Sequence, residues 1–183
     1  LDVCSGTGEM AANLVRLSRN GTSVFAADFS LPMLSKAAEK KEADRITFVI
    51  ADVKALPFPD NSFDLITISF ATRNINISRD ILIEHLKEFH RVLKPGGCFV
   101  NLETSQPRFS LTRGLMHLYV KLAVKPIGSG ISGSKAGYAY LSHTIPRFYP
   151  PEEFAAIIHQ AGFGTVTFKR MFGGVIAVHK GVK

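Results

Sequence analysis

The chain repeats one pattern. A short run of apolar residues ends at an acid or a small polar residue, and a stretch with apolar positions three and four apart follows. Residues 9–20 carry Met10, Leu14, Val15 and Leu17 at helical spacing, and Asn20-Gly21 supplies a C-terminal stop. Residues 22–27 are β-rich and apolar and end at Asp28. Ser30 can cap a second helix, with Pro32 in its first turn and Met33, Leu34, Ala37 and Ala38 on its inner face. Residues 45–51 read as a third strand ending at Asp52, and residues 56–61 have turn chemistry. Residues 63–70 read as a fourth strand and residues 71–77 as a loop. Ser78 then caps a helix whose apolar face is Ile81, Leu82, Leu86, Phe89, Val92 and Leu93. Pro95-Gly96-Gly97 stops it, and residues 98–102 read as a fifth strand.

Near-continuous apolar strands alternating with amphipathic helices predict a mainly parallel sheet covered on both faces. Right-handed crossovers make that a doubly wound α/β fold. The rest of the chain reads differently. Residues 111–124 form an apolar helix with Arg113, Lys121 and Lys125 around it, and residues 127–137 are a Gly/Ser-rich loop. Residues 138–148 read as a short helix and turn. Pro150-Pro151-Glu152-Glu153 opens a helix that Ala161-Gly162-Phe163 ends. Residues 165–172 and 175–179 flank Gly173-Gly174 as a C-terminal β-hairpin. The length of 183 residues predicts one domain, with residues 106–150 a helical insertion over its active face. Leu1-Asp2-Val3 reads as the end of a strand, so an N-terminal segment is expected to be missing.

Candidate chemistry gathers at the strand ends, where open α/β sheets bind ligands. Leu1-Asp2-Val3-Cys4-Ser5-Gly6-Thr7-Gly8 reads as strand, tight loop and helix start. Gly6 and Gly8 let a ligand approach the backbone, and the amides of the first helical turn face it. Three readings fit this stretch alone. It can be a plain strand–helix turn. It can be a dinucleotide loop holding a pyrophosphate, since Gly6-Thr7-Gly8-Glu9-Met10-Ala11 fits that looser pattern. Or it can hold the methionine part of S-adenosylmethionine (SAM), with Asp2 facing the ammonium. Asp28 stands 20 residues after Gly8, the distance at which an acid meets ribose hydroxyls. Asp52 could accept from an adenine amino group, and Ser69 lies near the end of the fourth strand, close to where a cofactor would lie.

Charge separates the two parts of the chain. Residues 1–105 hold 12 Lys/Arg and 13 Asp/Glu, a net of −1, while residues 106–183 hold 10 and 2, a net of +8. A solvated basic face, nucleic acid, an anionic membrane surface or an anionic substrate each fit that surplus. Cys4 and Cys98 make neither a disulfide framework nor a metal site, and a reducing cytosol is the expected compartment. No apolar run reaches the ~18–20 residues of a membrane span.

Taken together, Asp2 with Gly6-Thr7-Gly8, Asp28, Asp52 followed by Leu56-Pro57-Phe58, Asp64 and Leu93-Lys94-Pro95-Gly96-Gly97 resemble a class I SAM-dependent methyltransferase with its Rossmann-like sheet. Arg91 to Gly97, then Glu103-Thr104-Ser105, resemble the signature of the ubiquinone/menaquinone biosynthesis C-methyltransferases (the UbiE/MenG type). Ser69-Phe70-Ala71-Thr72-Arg73-Asn74 is similar to that family's Ser-Phe-Gly-Leu-Arg-Asn loop, with Ala71-Thr72 in place of Gly-Leu. Tyr138, Tyr140-Leu141, Ala161-Gly162-Phe163 and the segment from Gly173 to Gly181 resemble its C-terminal part. In the glycine loop, Cys4-Ser5 replaces smaller residues.

The resemblance implies SAM as cofactor, with contacts at Thr7, Asp28, Asp52, Val53 and Ser69. Asp2, Gly6 and Gly8 follow from the general methyltransferase motif. It implies C-methylation of a polyprenylated hydroquinone such as demethylmenaquinol, with no metal; the alternatives are a SAM-dependent methyltransferase of another small molecule and a non-catalytic SAM-binding subunit. Arg73 is expected to stabilise the phenolate, because its fixed charge lowers a hydroxyl pKa, and Asn74 to hydrogen-bond a ring oxygen. Tyr140 and His143 are further substrate candidates. The loop after the fourth strand lacks the Asn/Asp-Pro-Pro-aromatic pattern of base methylation, so no nucleic-acid partner is expected. The apolar helix and its cations fit an isoprenoid tail and peripheral contact with an anionic membrane. Met116, Leu118 and Leu122 fit a plain core equally well. A homodimer is compatible with the sequence.

Overall fold

The computed structural model describes residues 1–19, 21–124, 142 and 144–183. Among them, seven strands form one sheet: β1 (Asp2–Val3), β2 (Val24–Asp28), β3 (Ile46–Ile50), β4 (Phe63–Ser69), β5 (Leu93–Thr104), β6 (Thr165–Met171) and β7 (Ile176–Val182). Their order across the sheet is β3-β2-β1-β4-β5-β7-β6. The first five strands are parallel to one another, and the β6–β7 hairpin adds an antiparallel edge through β7. The helices are α1 (Glu9–Leu17), α2 (Leu31–Ala37), α3 (Thr72–Ile75), α4 (Arg79–Val92), α5 (Ser110–Tyr119) and α6 (Pro151–Gln160). This is the doubly wound α/β sheet with a C-terminal hairpin that the apolar pattern predicts.

The two faces are packed differently. On one, Ile66, Ile68 and Phe99 meet Leu82, Leu86 and Phe89 of α4 and Phe154, Ile157 and Ile158 of α6, all fully buried. Each such side chain contributes roughly 1.5–3 kcal/mol by leaving water. On the other, small residues bring backbone close to backbone: Ala11 and Val15 of α1 lie against Val24, Ala26 and Ile46. Gly8 belongs to this packing. It holds φ 75° at the start of α1, and a Cβ there would stand 2.8 Å from the Ala37 Cβ of α2. Neither the conformation nor the space admits a larger residue.

The motif segments brace the strand ends. Arg91 donates to the carbonyls of Phe58 (2.9 Å) and Leu56 (3.1 Å) and pairs with Asp60 and Glu88, and Glu88 accepts from the Leu56 amide at 2.7 Å. The loop that follows Asp52 is therefore tied to α4. His179 of β7 sets its Nε2 2.9 Å from the Pro151 carbonyl, fixing the start of α6.

Several boundaries differ from expectation. Leu93 leaves the helix and pairs with Phe63, and the register then shifts so that Leu65 faces Cys98. Lys94-Pro95-Gly96-Gly97 is the excursion, held by Lys94 on Asp64 at 2.9 Å. Residues 71–77, expected as a loop, contain α3. Ser78 caps α4 as expected, accepting from Ile81 at 3.3 Å. Ser30 does not cap α2 with its hydroxyl. Its amide instead donates to Asp28 Oδ1. Of the expected insertion, α5 and its π-helical continuation (Val120–Val124) are described, and Ile145–Arg147 forms a 3-10 turn. The readings on residues 127–137, on Tyr140 and on His143 lie outside the described residues.

Candidate active site

A cavity of about 780 Å³ opens at the C-terminal ends of β1 to β4, where the strand order reverses. Asp2, Gly6 and Thr7 line it at β1, Asp28 at β2, Asp52 and Val53 after β3, and Ser69 and Asn74 after β4. Two of the expected site residues are not on its wall. Gly8 turns to Ala37, as described above. Arg73 turns to Glu103.

The glycine loop is organised by Asp28. Its Oδ2 accepts from the Gly6 amide at 2.8 Å and its Oδ1 from the Ser30 amide at 2.8 Å. One carboxylate at the end of β2 thereby ties the loop after β1 to the start of α2. Charge-assisted bonds of this kind are the strong ones. Asp52 makes a local turn, accepting from the Lys54 amide at 3.0 Å, and stays exposed on the cavity rim.

Asp2 is the deepest of the three acids, with 1% of its surface exposed. Thr67 donates to its Oδ1 at 2.8 Å, while Oδ2 has no hydrogen-bond partner among the described residues. Burial pushes its pKa up to about 6; the Thr67 hydroxyl and the Ala11 backbone offset only part of that cost. A buried carboxylate oxygen with spare capacity, in a cavity with two more acids, fits a ligand that carries a positive charge. SAM has such a charge, and hydroxyls for Asp28 as well. Cys4 stands in the same loop at φ 51°, a conformation that non-glycine residues adopt at a cost. Burial, together with Asp28, Asp2 and Asp52, pushes its thiol up to about 12, so it stays protonated and unreactive.

Arg73 and Glu103 form a buried ion pair. Arg73 Nη1 lies 2.5 Å from Glu103 Oε1, with side-chain exposures of 8% and 1%. Glu103 Oε2 also accepts from the Arg73 amide at 3.2 Å, and Oε1 from the Thr104 amide at 2.8 Å. Beside them, Thr72 donates to Asn101. The end of β5 therefore holds α3 by its backbone and by two side chains, and Asn74 on that helix reaches the cavity. Arg73 is therefore held in a structural ion pair and does not line the cavity. Its charge is compensated, and its Nε is buried with no partner among the described residues.

The cavity also has walls that sequence reasoning missed: Phe29 and Met33 beside Asp28, Phe70 and Ile77 after β4, and His85 on α4. His85 had a signal. It is the polar residue inside the stripe Leu82, Leu86, Phe89 that the helical spacing marks as buried.

The profile described as the ubiE/COQ5 methyltransferase family matches residues 1–183. The chain belongs to that family. It is 38% identical over 191 residues to the ubiquinone/menaquinone biosynthesis C-methyltransferase UbiE of Rickettsia akari, covering 100% of this chain and 75% of that protein. It is 37% identical over 187 residues to the UbiE of Brucella canis, covering 68% of that protein. A solved SAM-dependent methyltransferase from Aquifex aeolicus shares the fold, with TM-score 0.66 over 99% of this chain and 79% of that one at 18% identity. As a member of the ubiE/COQ5 family the chain is a SAM-dependent methyltransferase, as the motifs from Asp2 to Ser105 led us to expect.

Proposed function

We propose that this chain methylates a ring carbon of a polyprenylated hydroquinone, of the demethylmenaquinol type, in ubiquinone or menaquinone biosynthesis. The observation that carries the reading is the family match over the whole chain, on a cavity lined by the acids and loop residues a SAM enzyme needs. Asp2 would receive the ammonium of the methionine part, Gly6 and Thr7 its carboxylate side, Asp28 the ribose hydroxyls, and Asp52 with Val53 the purine. Ser69, on the wall of the same cavity, would stand between these groups and the substrate side. When bound, SAM supplies an activated methyl on a sulfonium, so the chain need not generate a strong electrophile.

The substrate is the weak partner, since a ring carbon becomes nucleophilic as a neighbouring hydroxyl loses its proton. Asn74 faces the cavity and would hydrogen-bond a ring oxygen. Arg73, whose charge Glu103 balances, would favour the phenolate indirectly, by holding α3 and so fixing Asn74 against the ring oxygen. Its Nε, an N–H with no acceptor among the described residues, supports a role for Arg73 beyond its ion pair. Methyl transfer to demethylmenaquinol by wild type, Asn74→Ala and Arg73→Ala tests this. Loss of turnover with retained cofactor binding is expected in both variants, and an unchanged rate in Arg73→Ala rejects the role given to it.

The tail and the membrane are proposed to meet α5. Met116 and Val120 are buried, whereas Leu111, Leu115, Leu118 and Leu122 stand exposed among the described residues. A shallow groove runs along Leu111, Gly114, Leu115 and Leu118. Among the described residues no helix is long and apolar enough to cross a membrane. An exposed apolar ridge beside Arg113 and Lys121 fits contact with an anionic surface. Co-sedimentation with vesicles containing phosphatidylglycerol is the test, and failure to bind them removes this part of the reading.

A further inference from the structure

His85 lines the cavity, and none of the roles above uses it. It lies in the middle of α4 with 3% of its surface exposed. Its Nδ1 is buried with no hydrogen-bond partner among the described residues. Burial holds the imidazole below the ordinary histidine range; the Ile75 backbone and Asp52 act against that shift, and Lys54 with it. The ring is therefore neutral at pH 7 and presents one donor and one acceptor.

Two open spaces meet at this ring. The main cavity reaches it past Asp52, Val53 and Ile75. A second groove, of about 470 Å³, reaches it from outside along Ile81, Glu84, Lys87 and Glu88. Lys54, Ile77 and His85 belong to the walls of both. These three side chains form the partition between the two spaces. The partition stands beside Asp52, the end of the cavity to which the purine is assigned above.

We infer that His85 is the back wall of the purine pocket and sets its specificity. The neutral imidazole hydrogen-bonds the purine edge, which offers ring-nitrogen acceptors and amino donors. Its bulk also closes the way to the outer groove, which restricts the cofactor to an unsubstituted adenine. This rests on the cofactor reading above. Cutting the side chain back to Cβ joins the two spaces and leaves room for a group attached to the adenine amino nitrogen.

The test is calorimetric titration of the protein with S-adenosylhomocysteine and with its N6-benzyl derivative. Wild type binds the first and discriminates against the second by about 100-fold, the scale a site gains by steric exclusion and unpaired polar groups. His85→Ala binds S-adenosylhomocysteine about tenfold more weakly, for the lost hydrogen bond and contact, yet binds the benzyl derivative at least about tenfold better than wild type does. That gain cannot come from a damaged fold. His85→Leu, an apolar replacement on an apolar helix face, keeps the wall and loses the hydrogen bond; it weakens S-adenosylhomocysteine about fivefold and still excludes the benzyl group. No gain for the benzyl derivative in His85→Ala overturns the partition, and unchanged S-adenosylhomocysteine affinity in His85→Leu overturns the hydrogen bond. A wild type that binds neither ligand instead removes the cofactor reading itself.

Discussion

The cavity edge of the sheet and the helix α5 solve opposite problems. At the cavity edge, three acids are buried and tied down: Asp28 by two backbone amides, Glu103 by Arg73 and Thr104, Asp2 by Thr67. On α5, leucines face outward and no comparable network of charged groups holds them among the described residues. The first region spends its polar groups on a fixed geometry with spare capacity at Asp2 Oδ2 and Arg73 Nε. The second leaves apolar area uncovered. On the proposed function the first surface would serve a cationic cofactor and the second an apolar tail, and mutations should separate them cleanly.

The largest effect is expected at Glu103. Glu103→Ala leaves the Arg73 guanidinium buried and unpaired, which costs about 3–5 kcal/mol, read as a fall in urea unfolding midpoint. A loss below about 1 kcal/mol means that the pair does not brace α3. Asp28→Ala comes next. It removes two charge-assisted bonds from the glycine loop, so S-adenosylhomocysteine affinity should fall about 100-fold, with Asp28→Asn intermediate. Equal affinities in calorimetry reject Asp28 as the organiser of that loop.

The third effect is set by pH. Asp2 has a folded pKa near 6, above its unfolded value of 3.8, so the empty fold takes up a proton between them. Its contribution to stability is therefore fully present below pH 3.8 and lost as pH rises through about 6. A cationic ligand works the other way, because it favours the carboxylate. SAM binding should weaken about tenfold between pH 7 and pH 5, and Asp2→Asn should flatten that profile while lowering affinity at pH 7. A flat wild-type profile detaches Asp2 from the ligand's charge. The smallest effect on the fold belongs to α5. Leu115→Glu with Leu118→Glu should leave stability within about 0.5 kcal/mol and cofactor affinity unchanged, while abolishing vesicle binding. Loss of stability there makes α5 core and erases the contrast.

Much of this was legible before any coordinates. The strands after residue 22 announce themselves as apolar runs ending at Asp28, Asp52 and Ser69, and the Ser78 cap and the Gly173-Gly174 hairpin follow local rules that neighbours in sequence can satisfy. Those features place most of the expected residues on one sheet edge. Gly8 was expected at the cofactor, and its glycine is demanded by Ala37, 29 positions on. The helix that was to include Leu93 ends at Val92, because pairing with Phe63 offers Leu93 a fully buried strand position.

The sequence alone decided the fold class, the family and the edge of the sheet on which the acids sit. Periodicity, caps and glycine turns are short-range, and the parallel crossover rules leave few ways to assemble them. Tertiary structure alone decided what each polar group faces. Arg73 meets Glu103 across 30 residues, Asp28 meets Gly6 across 22, and His85 reaches the Asp52 end of the cavity from a helix that reads as plain core. Such partners are chosen by how the elements pack, since a buried charge must find a partner in space.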